Sequence, residues 1–308
     1  MPRRLSPTAL AHLLLLAVVI IWGATFVLIK DALQDATPLL FNLLRMALAF
    51  VALAIINHRQ LGSIKRQSLI SGLIVGLFLA AGYQFQTAGL AHTTAAKSAL
   101  ITGLVVVFVP LFTIFAALRP SGTPAPRWTN ALGAILAFSG LLLLTTPAST
   151  SWQNLFSTVG LGDILTLFCA VAFAAHLLSL AYVSKAIPTA QLATLQIGSA
   201  ALLMAITLPL GGRPHLTPTP RLITALAVTS LLATAAAFTI QSWAQQYLPP
   251  THTAILLSLE PVFACITSFL VLHEHLGHRS LFGAALILIG IVTTEIFPSN
   301  APIPMYPI

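Results

Sequence analysis

A carboxylate followed directly by a proline, inside an otherwise apolar run, is the most chemically loaded feature of this sequence. Glu260 lies about ten residues into the apolar stretch that starts near residue 252, and Pro261 follows it. An ionised side chain at mid-bilayer costs at least ~3 kcal/mol on insertion scales, so a carboxylate at that depth needs a purpose or a partner. Pro261 cannot donate the helical bond to the carbonyl of Leu257, so a helix break is expected there. Broken membrane helices use such freed backbone groups to hold ions or substrates. Glu260 is then either a proton- or substrate-binding carboxylate or the structural partner of Arg45 or another buried donor.

Other polar side chains interrupt apolar runs in the same way. Arg45, inside the second run, could clamp an anionic group bidentately, or snorkel and satisfy helix carbonyls. Lys97 opens the fourth run, as an interfacial lysine or as part of a charge-selecting vestibule. Tyr83 and Gln86 are one helical turn apart, as are Gln241 and Gln245; glutamines deep in lipid need partners, so both faces should point inward. Trp22 and Trp243 could stack on a ring-bearing ligand or simply pack. His176 is a group able to titrate near neutral pH or a hydrogen-bonded core histidine. Asp163 reads as a helix cap. His273, Glu274, His275 and His278 crowd one loop, which we read as a polar helix end rather than a metal site.

The elements that must position these groups follow from composition. The chain has 308 residues, 57% of them apolar and 6% charged, against about a quarter charged in an ordinary soluble domain. Apolar stretches near the ~20 residues needed to cross the hydrocarbon recur throughout. They predict spans at 8–30, 38–56, 68–90, 95–118, 128–146, 162–183, 189–210, 221–245, 252–273 and 279–297. Turns such as Pro120–Ser121–Gly122–Thr123–Pro124 and Gly211–Gly212–Arg213–Pro214 separate them. Arg3 and Arg4 precede a run, Ala9 to Ile29, that is too long for a signal-peptide core and reads as a retained first helix. The formal charge of +8 is scattered over short loops, which excludes a nucleic-acid stripe and gives a topology signal instead. Arg3, Arg4, Arg59, Lys65, Arg66, Arg119 and Arg127 fall on one side, against Lys30 and Lys97 on the other. The N-terminus is therefore expected in the cytoplasm of an inner (plasma) membrane, and after ten spans the C-terminus too. Cys169 and Cys265 lie within apolar spans, so neither a disulfide framework nor a zinc site is expected.

The two halves resemble each other. Gly133, Ala134, Leu136 and Gly140 match Gly283, Ala284, Leu286 and Gly290 at one offset, and Ala88, Leu100 and Val106 match Ala244, Leu256 and Val262 at a slightly larger one. An odd number of spans per copy turns the second copy upside down, which predicts a site at the shared interface. The positions matching Glu260 and Pro261 are Leu104 and Val105, so the break is expected in one copy only. Gly72 with Gly76, and the glycines of the fifth and tenth spans, allow close helix approach within the chain or in a homodimer.

Several segments carry a family resemblance. They are Trp22–Gly23–Ala24–Thr25–Phe26, Arg45, Gln86–Thr87–Ala88–Gly89–Leu90 and Thr94 to Leu104 in the first half. In the second they are Gly162–Asp163, Trp243–Ala244–Gln245, Ser258 to Ala264 and Glu274–His275–Leu276. Together they resemble the EamA branch of the drug/metabolite transporter superfamily over nearly the whole chain, with Phe173–Ala174–Ala175–His176 where a tryptophan is common. The resemblance implies an all-α membrane protein of ten transmembrane helices, two inverted five-helix repeats (8–146 and 160–297) around a central cavity. It implies a secondary transporter working by alternating access on a small metabolite, amino acid-like or otherwise amphipathic, with export favoured and no cofactor. Proton coupling follows if Glu260 titrates. A flippase of lipid-linked substrates is the alternative; an intramembrane enzyme is disfavoured because its candidate groups are dispersed along the sequence.

Overall fold

The computed structural model describes residues 6–120, 127–145, 159–248, 253, 256–257 and 259–295. Residues 121–124 of the expected turn, Arg3 and Arg4, Ser258, the chain end beyond 295 and most of 249–258 lie outside the described residues. Among the described residues the fold is all-helical, with one isolated antiparallel bridge, Ala36 to Leu216. The helices are α1 Pro7–Ala32, α2 Pro38–Ile56, α3 Arg66–Ala91, α4 Ala95–Phe112 and α5 Trp128–Thr145. They continue with α6 Leu161–Val183, α7 Thr189–Thr207, α8 Pro220–Ala244, α9 Glu260–Leu272 and α10 His278–Glu295. Seven segments among the described residues are long and apolar enough to cross a membrane: α1 to α4, α6, α7 with its extension to Gly211, and α8.

Local chemistry sets the ends. A hydroxyl residue followed by proline starts α1 (Ser6–Pro7), α2 (Thr37–Pro38) and α8 (Thr219–Pro220). Proline fits there because its missing N–H would be unpaired anyway. Ser6 and Thr219 also accept amide N–H groups of the first turn. Between α3 and α4 the caps are charged and come from afar. Lys30 Nζ donates to the carbonyls of Leu90 and Thr93, at 2.8 and 2.7 Å, closing the C-terminus of α3. Glu274 accepts the amides of Ala95 and Ala96, both at 3.1 Å, closing the N-terminus of α4. Each charge meets the helix end of opposite partial charge.

Helix directions are readable from contact numbering. Ser68 bonds Gln191 and Gln84 bonds Thr207, both 123 residues apart, so α3 and α7 run parallel. Gly72 and Gly76 lie against Leu195 and Ser199 in the same pair. The α5–α10 pair is antiparallel. A Cβ on Gly140 would sit 2.5 Å from the Gly283 carbonyl oxygen, and one on Gly290 would sit 2.6 Å from that of Gly133. These glycine faces are therefore used inside the chain, and a homodimer would need another surface.

The loop after α1 is clasped to the start of α8. Arg221 grips Asp35 with two nitrogens at 2.8 and 2.9 Å and reaches Asp31 at 3.2 Å. At the opposite end of the bundle Gln191 donates to the Gln60 carbonyl. Arg59 and Arg213 accordingly lie at opposite ends. The Arg221 guanidinium, then the Thr219 hydroxyl, hold the Asp35 carboxyl down to about 2. A carboxyl whose folded value is depressed stabilises the fold above its ordinary value of about 3.9 and loses that contribution as pH falls through the folded value. The melting temperature of the purified protein should therefore drop between about pH 4 and pH 2, and less steeply in Asp35→Asn. Equal slopes in the two proteins would remove the clasp from the account.

Candidate functional site

A cavity at the centre of the bundle is walled by both halves. Trp22, Thr25, Phe26, Arg45, Tyr83, Gln86 and Thr102 come from α1 to α4, and Phe173, His176, Phe238, Gln241 and Glu260 from α6, α8 and α9. The lining obeys helical spacing: Trp22, Thr25 and Phe26 on α1, Phe173, His176 and Leu177 on α6, and Phe238 and Gln241 on α8. Side chains too far apart in sequence to suggest one site thus meet in one chamber.

Arg45 anchors it, with 1% of its surface exposed. Its Nε donates to Thr234 Oγ1 at 2.7 Å and its Nη2 to Tyr83 Oη at 3.0 Å and the Ala233 carbonyl at 3.3 Å. The guanidinium carbon stands 4.3 Å from the Tyr83 ring centroid, a cation–π contact. Arg45 makes no ion pair with Glu260 among the described residues, although the two share the chamber. The Ala233 carbonyl is available because Leu231–Ala236 forms a π-helical segment within α8. The wider turn diverts backbone groups from the i→i+4 ladder, a feature common at functional sites. Trp22 Nε1 donates to the same carbonyl at 2.8 Å. Two polar atoms of the lining residues, Arg45 Nη1 and Gln241 Oε1, are buried without a partner among the described residues.

Glu260 begins α9, and Pro261 occupies the first turn of the helix, where its missing N–H leaves no gap. The break falls at the turn residue Leu259, whose N–H bonds three residues back, to Leu256 at 3.2 Å. Contrary to the expectation from sequence, the break is not confined to one copy. In α4 the chain turns at Gly103 and Leu104, and Leu104 N–H likewise bonds three residues back, to Ile101 at 3.1 Å. The bonds Val106 to Gly103 and Val262 to Leu259 are matching features of the two breaks. Proline alone was the wrong marker. Gly103 permits the first break and receives the Pro261 ring, whose Cγ would be 2.7 Å from a Cβ there.

Three residues expected at the pathway lie elsewhere. Lys97 pairs with Asp163 at 2.9 Å in the first turn of α4, more than a turn from the cavity-lining Thr102. Asp163 also accepts from Gly160 N–H and Thr93 Oγ1, so it caps α6 and ties it to α4. Trp243 packs on Tyr247 at 5.0 Å and belongs to an apolar cluster with Ala11 and Leu15. Gln245 donates weakly to the Leu177 carbonyl, at 3.4 Å, beyond the cavity wall. Among the described residues no group of acidic, cysteine and histidine side chains could hold a metal ion, and Glu274 of the crowded loop is engaged on the α4 amides and Ser268. Sequence reasoning missed Thr234 and the π-helical carbonyls. It also missed Thr25, Phe26 and Phe238, which lie one turn from candidates it had found; Phe173, singled out where a tryptophan is common, does line the wall.

Apolar helices of membrane-crossing length, packed around a chamber that holds Arg45 and Glu260 among apolar side chains, point to a multi-pass membrane protein. The chain belongs to the EamA-like transporter family, of the drug/metabolite transporter superfamily, whose model matches residues 9–146 and 160–295. It is 32% identical to an "Uncharacterized transporter" of Archaeoglobus fulgidus over 93% of this chain and 86% of that protein. It is 24% identical to "Uncharacterized transporter YoaV" of Bacillus subtilis, covering 90% and 94% of the two chains. A chloroplastic WAT1-related protein of Arabidopsis thaliana is 27% identical, over 91% of this chain and 67% of the relative. A solved crystal structure superposes with a TM-score of 0.67, over 93% of this chain and 96% of the other, at 18% identity, a likeness of fold. Family and relatives point to a transporter rather than an enzyme.

Proposed function

We propose that the chain is a secondary transporter that moves a small amphipathic metabolite across the inner membrane by alternating access between two inverted five-helix repeats, 8–146 and 160–297. The observation that carries this reading is the central cavity, walled by both halves and holding a buried guanidinium with one nitrogen unpartnered among the described residues. The antiparallel glycine seam supports the inverted repeat. Gly133 and Gly290 meet, and so do their repeat equivalents Gly283 and Gly140, the exchange a twofold relation between halves requires. The matched breaks in α4 and α9 support it independently. The Lys and Arg bias supports cytoplasmic termini, and the preference for export rests on the family resemblance.

The lining suits an amino acid-like solute. Arg45 Nη1 offers a charged donor to an anionic group, Glu260 a carboxylate to a cationic one, and Trp22, Phe26, Tyr83, Phe173 and Phe238 flank an apolar body. Leaving a buried polar atom unpaired costs about 1–3 kcal/mol, which a solute meeting Arg45 Nη1 and Gln241 Oε1 recovers. Glu260 also gives the cycle a carboxylate able to carry a proton. Flux in proteoliposomes, measured with a solute selected by thermal-shift screening, should rise severalfold with a pH gradient. Glu260→Gln, whose amide oxygen still accepts a hydrogen bond, should show a reduced thermal shift and lose the gradient dependence. A gradient response that survives in the variant would leave facilitated exchange as the mechanism.

A further inference from the structure

We infer that His176 is a fixed, neutral hydrogen-bond acceptor in the cavity wall: Gln196 and Ser242 hold its Nε2–H from behind, and Nδ1 is presented to the solute. As a statement about substrate choice this rests on the carrier reading above. As a statement about the ring it stands on the hydrogen bonds and on the ring's burial away from any carboxylate partner among the described residues.

The argument starts at the far end of a relay. Ser242 Oγ lies 2.6 Å from the Phe238 carbonyl, the usual back-bond of a helical serine to the preceding turn. A carbonyl only accepts, and a hydroxyl has one proton, so Ser242 spends its donor there. Towards Gln196, at 3.0 Å, the same oxygen can therefore only accept, which makes the facing amide atom the NH2 group. The amide oxygen of Gln196 is then the atom 2.9 Å from His176 Nε2. That oxygen cannot donate, so Nε2 carries the proton.

The ring is buried and no carboxylate bonds it among the described residues; a buried charge without a partner is costly, so the imidazole is neutral and its other nitrogen holds a lone pair. His176 Nδ1 makes no hydrogen bond among the described residues. His176 belongs to the cavity lining, and its ring meets the Phe238 ring edge-on at 5.6 Å. The relay residues Gln196 and Ser242 are both fully buried behind it. The charged groups of the same chamber are Arg45 and Glu260, and neither bonds the ring among the described residues.

Such an arrangement gives the cavity polarity. Arg45 Nη1 donates, and His176 Nδ1 accepts. The solute class that satisfies both brings an anionic or acceptor group for the guanidinium and a neutral N–H or O–H for the imidazole, with an apolar body between the rings. Sites that hydrogen-bond a substrate N–H or O–H discriminate strongly against analogues lacking it, because the site's own polar atom is then left unpaired.

Two measurements on the whole purified protein test the inference. Nitrogen-15 spectra of histidine-labelled protein at neutral pH, with the His176 signal identified by its loss in His176→Asn, should show the neutral Nε2–H tautomer. In Gln196→Leu, which removes the acceptor, that preference should be lost. An imidazolium or an Nδ1–H signal in the unaltered protein would overturn the relay, and so would an unchanged tautomer in a folded Gln196→Leu. Diethyl pyrocarbonate attacks the unprotonated nitrogen of neutral imidazole, so the wild-type protein should carry the adduct on His176, more slowly than on exposed His58. Full modification of His58 with none on His176 would overturn the cavity-facing acceptor. Neither measurement needs a transported solute, so the carrier reading can fail without deciding this result.

Discussion

Replacing Arg45 with Met should cut flux by roughly 10- to 100-fold at subsaturating solute, the loss of one hydrogen bond to a charged group at about 1.5–3 kcal/mol. Stability should change much less. Met fills similar space without the cost of burying a charge, and apolar replacement of buried ionic groups is often near neutral. The penalty falls on Thr234 Oγ1, Tyr83 Oη and the Ala233 carbonyl, which lose their Arg45 partner, although the carbonyl keeps the Trp22 indole. Thr234 keeps its bond to the Thr229 carbonyl at 2.7 Å. Arg45→Lys is the sharper variant. One ammonium cannot reach Thr234 and Tyr83 at once and still face the cavity, because lysine lacks the planar fork. Lys should therefore fall with Met, although the charge is kept. Normal flux in Arg45→Met, with the melting temperature unchanged, would remove Arg45 from the substrate path and make its role purely structural.

Membrane chemistry made the helices legible and the cavity only partly so. Span limits follow from a length requirement and from hydroxyl–proline starts, both local, and 38–56 coincides with α2. The cavity depends on which face of each helix turns inward. Here periodicity held more than residue type. Gln241 and Trp243 are two residues apart, about 200° round a helix at 3.6 residues per turn, so they could not share a wall; Gln241 lines the cavity and Trp243 packs behind it. Conversely, Phe238 one turn before Gln241, and Phe173 one turn before His176, share their walls. Their type alone does not separate them from lipid-facing phenylalanines. The π-helical segment left no local signal, since Leu231–Ala236 reads as ordinary helix and gains its purpose from Arg45 and Trp22, far away in sequence. The break at Gly103 was hidden for the same reason, as its partner Pro261 belongs to the other half.

Adding single methyl groups to the α5–α10 seam should produce the largest stability losses. A Cβ on Gly140 would lie 2.5 Å from the Gly283 carbonyl oxygen and 2.8 Å from the Ile287 nitrogen; one on Gly283 would lie 2.6 Å from the Gly140 carbonyl oxygen and 2.7 Å from the Leu144 nitrogen. These neighbours are backbone atoms, which no rotamer change can move aside, so the helices must separate. Overpacking costs about 1–3 kcal/mol, and here it acts on both backbones at once. Gly140→Ala and Gly283→Ala should each lower the melting temperature of the purified protein by several degrees. Once one methyl has pushed the helices apart, the second meets less resistance. The double variant should therefore lose clearly less than the sum of the singles, as expected for residues in direct contact. None of the four seam glycines lines the cavity, so solute recognition should survive in whatever fraction stays folded. Additive losses would mean that the two glycines do not share a seam, and the pairing on which the twofold relation between the halves leans would go with it.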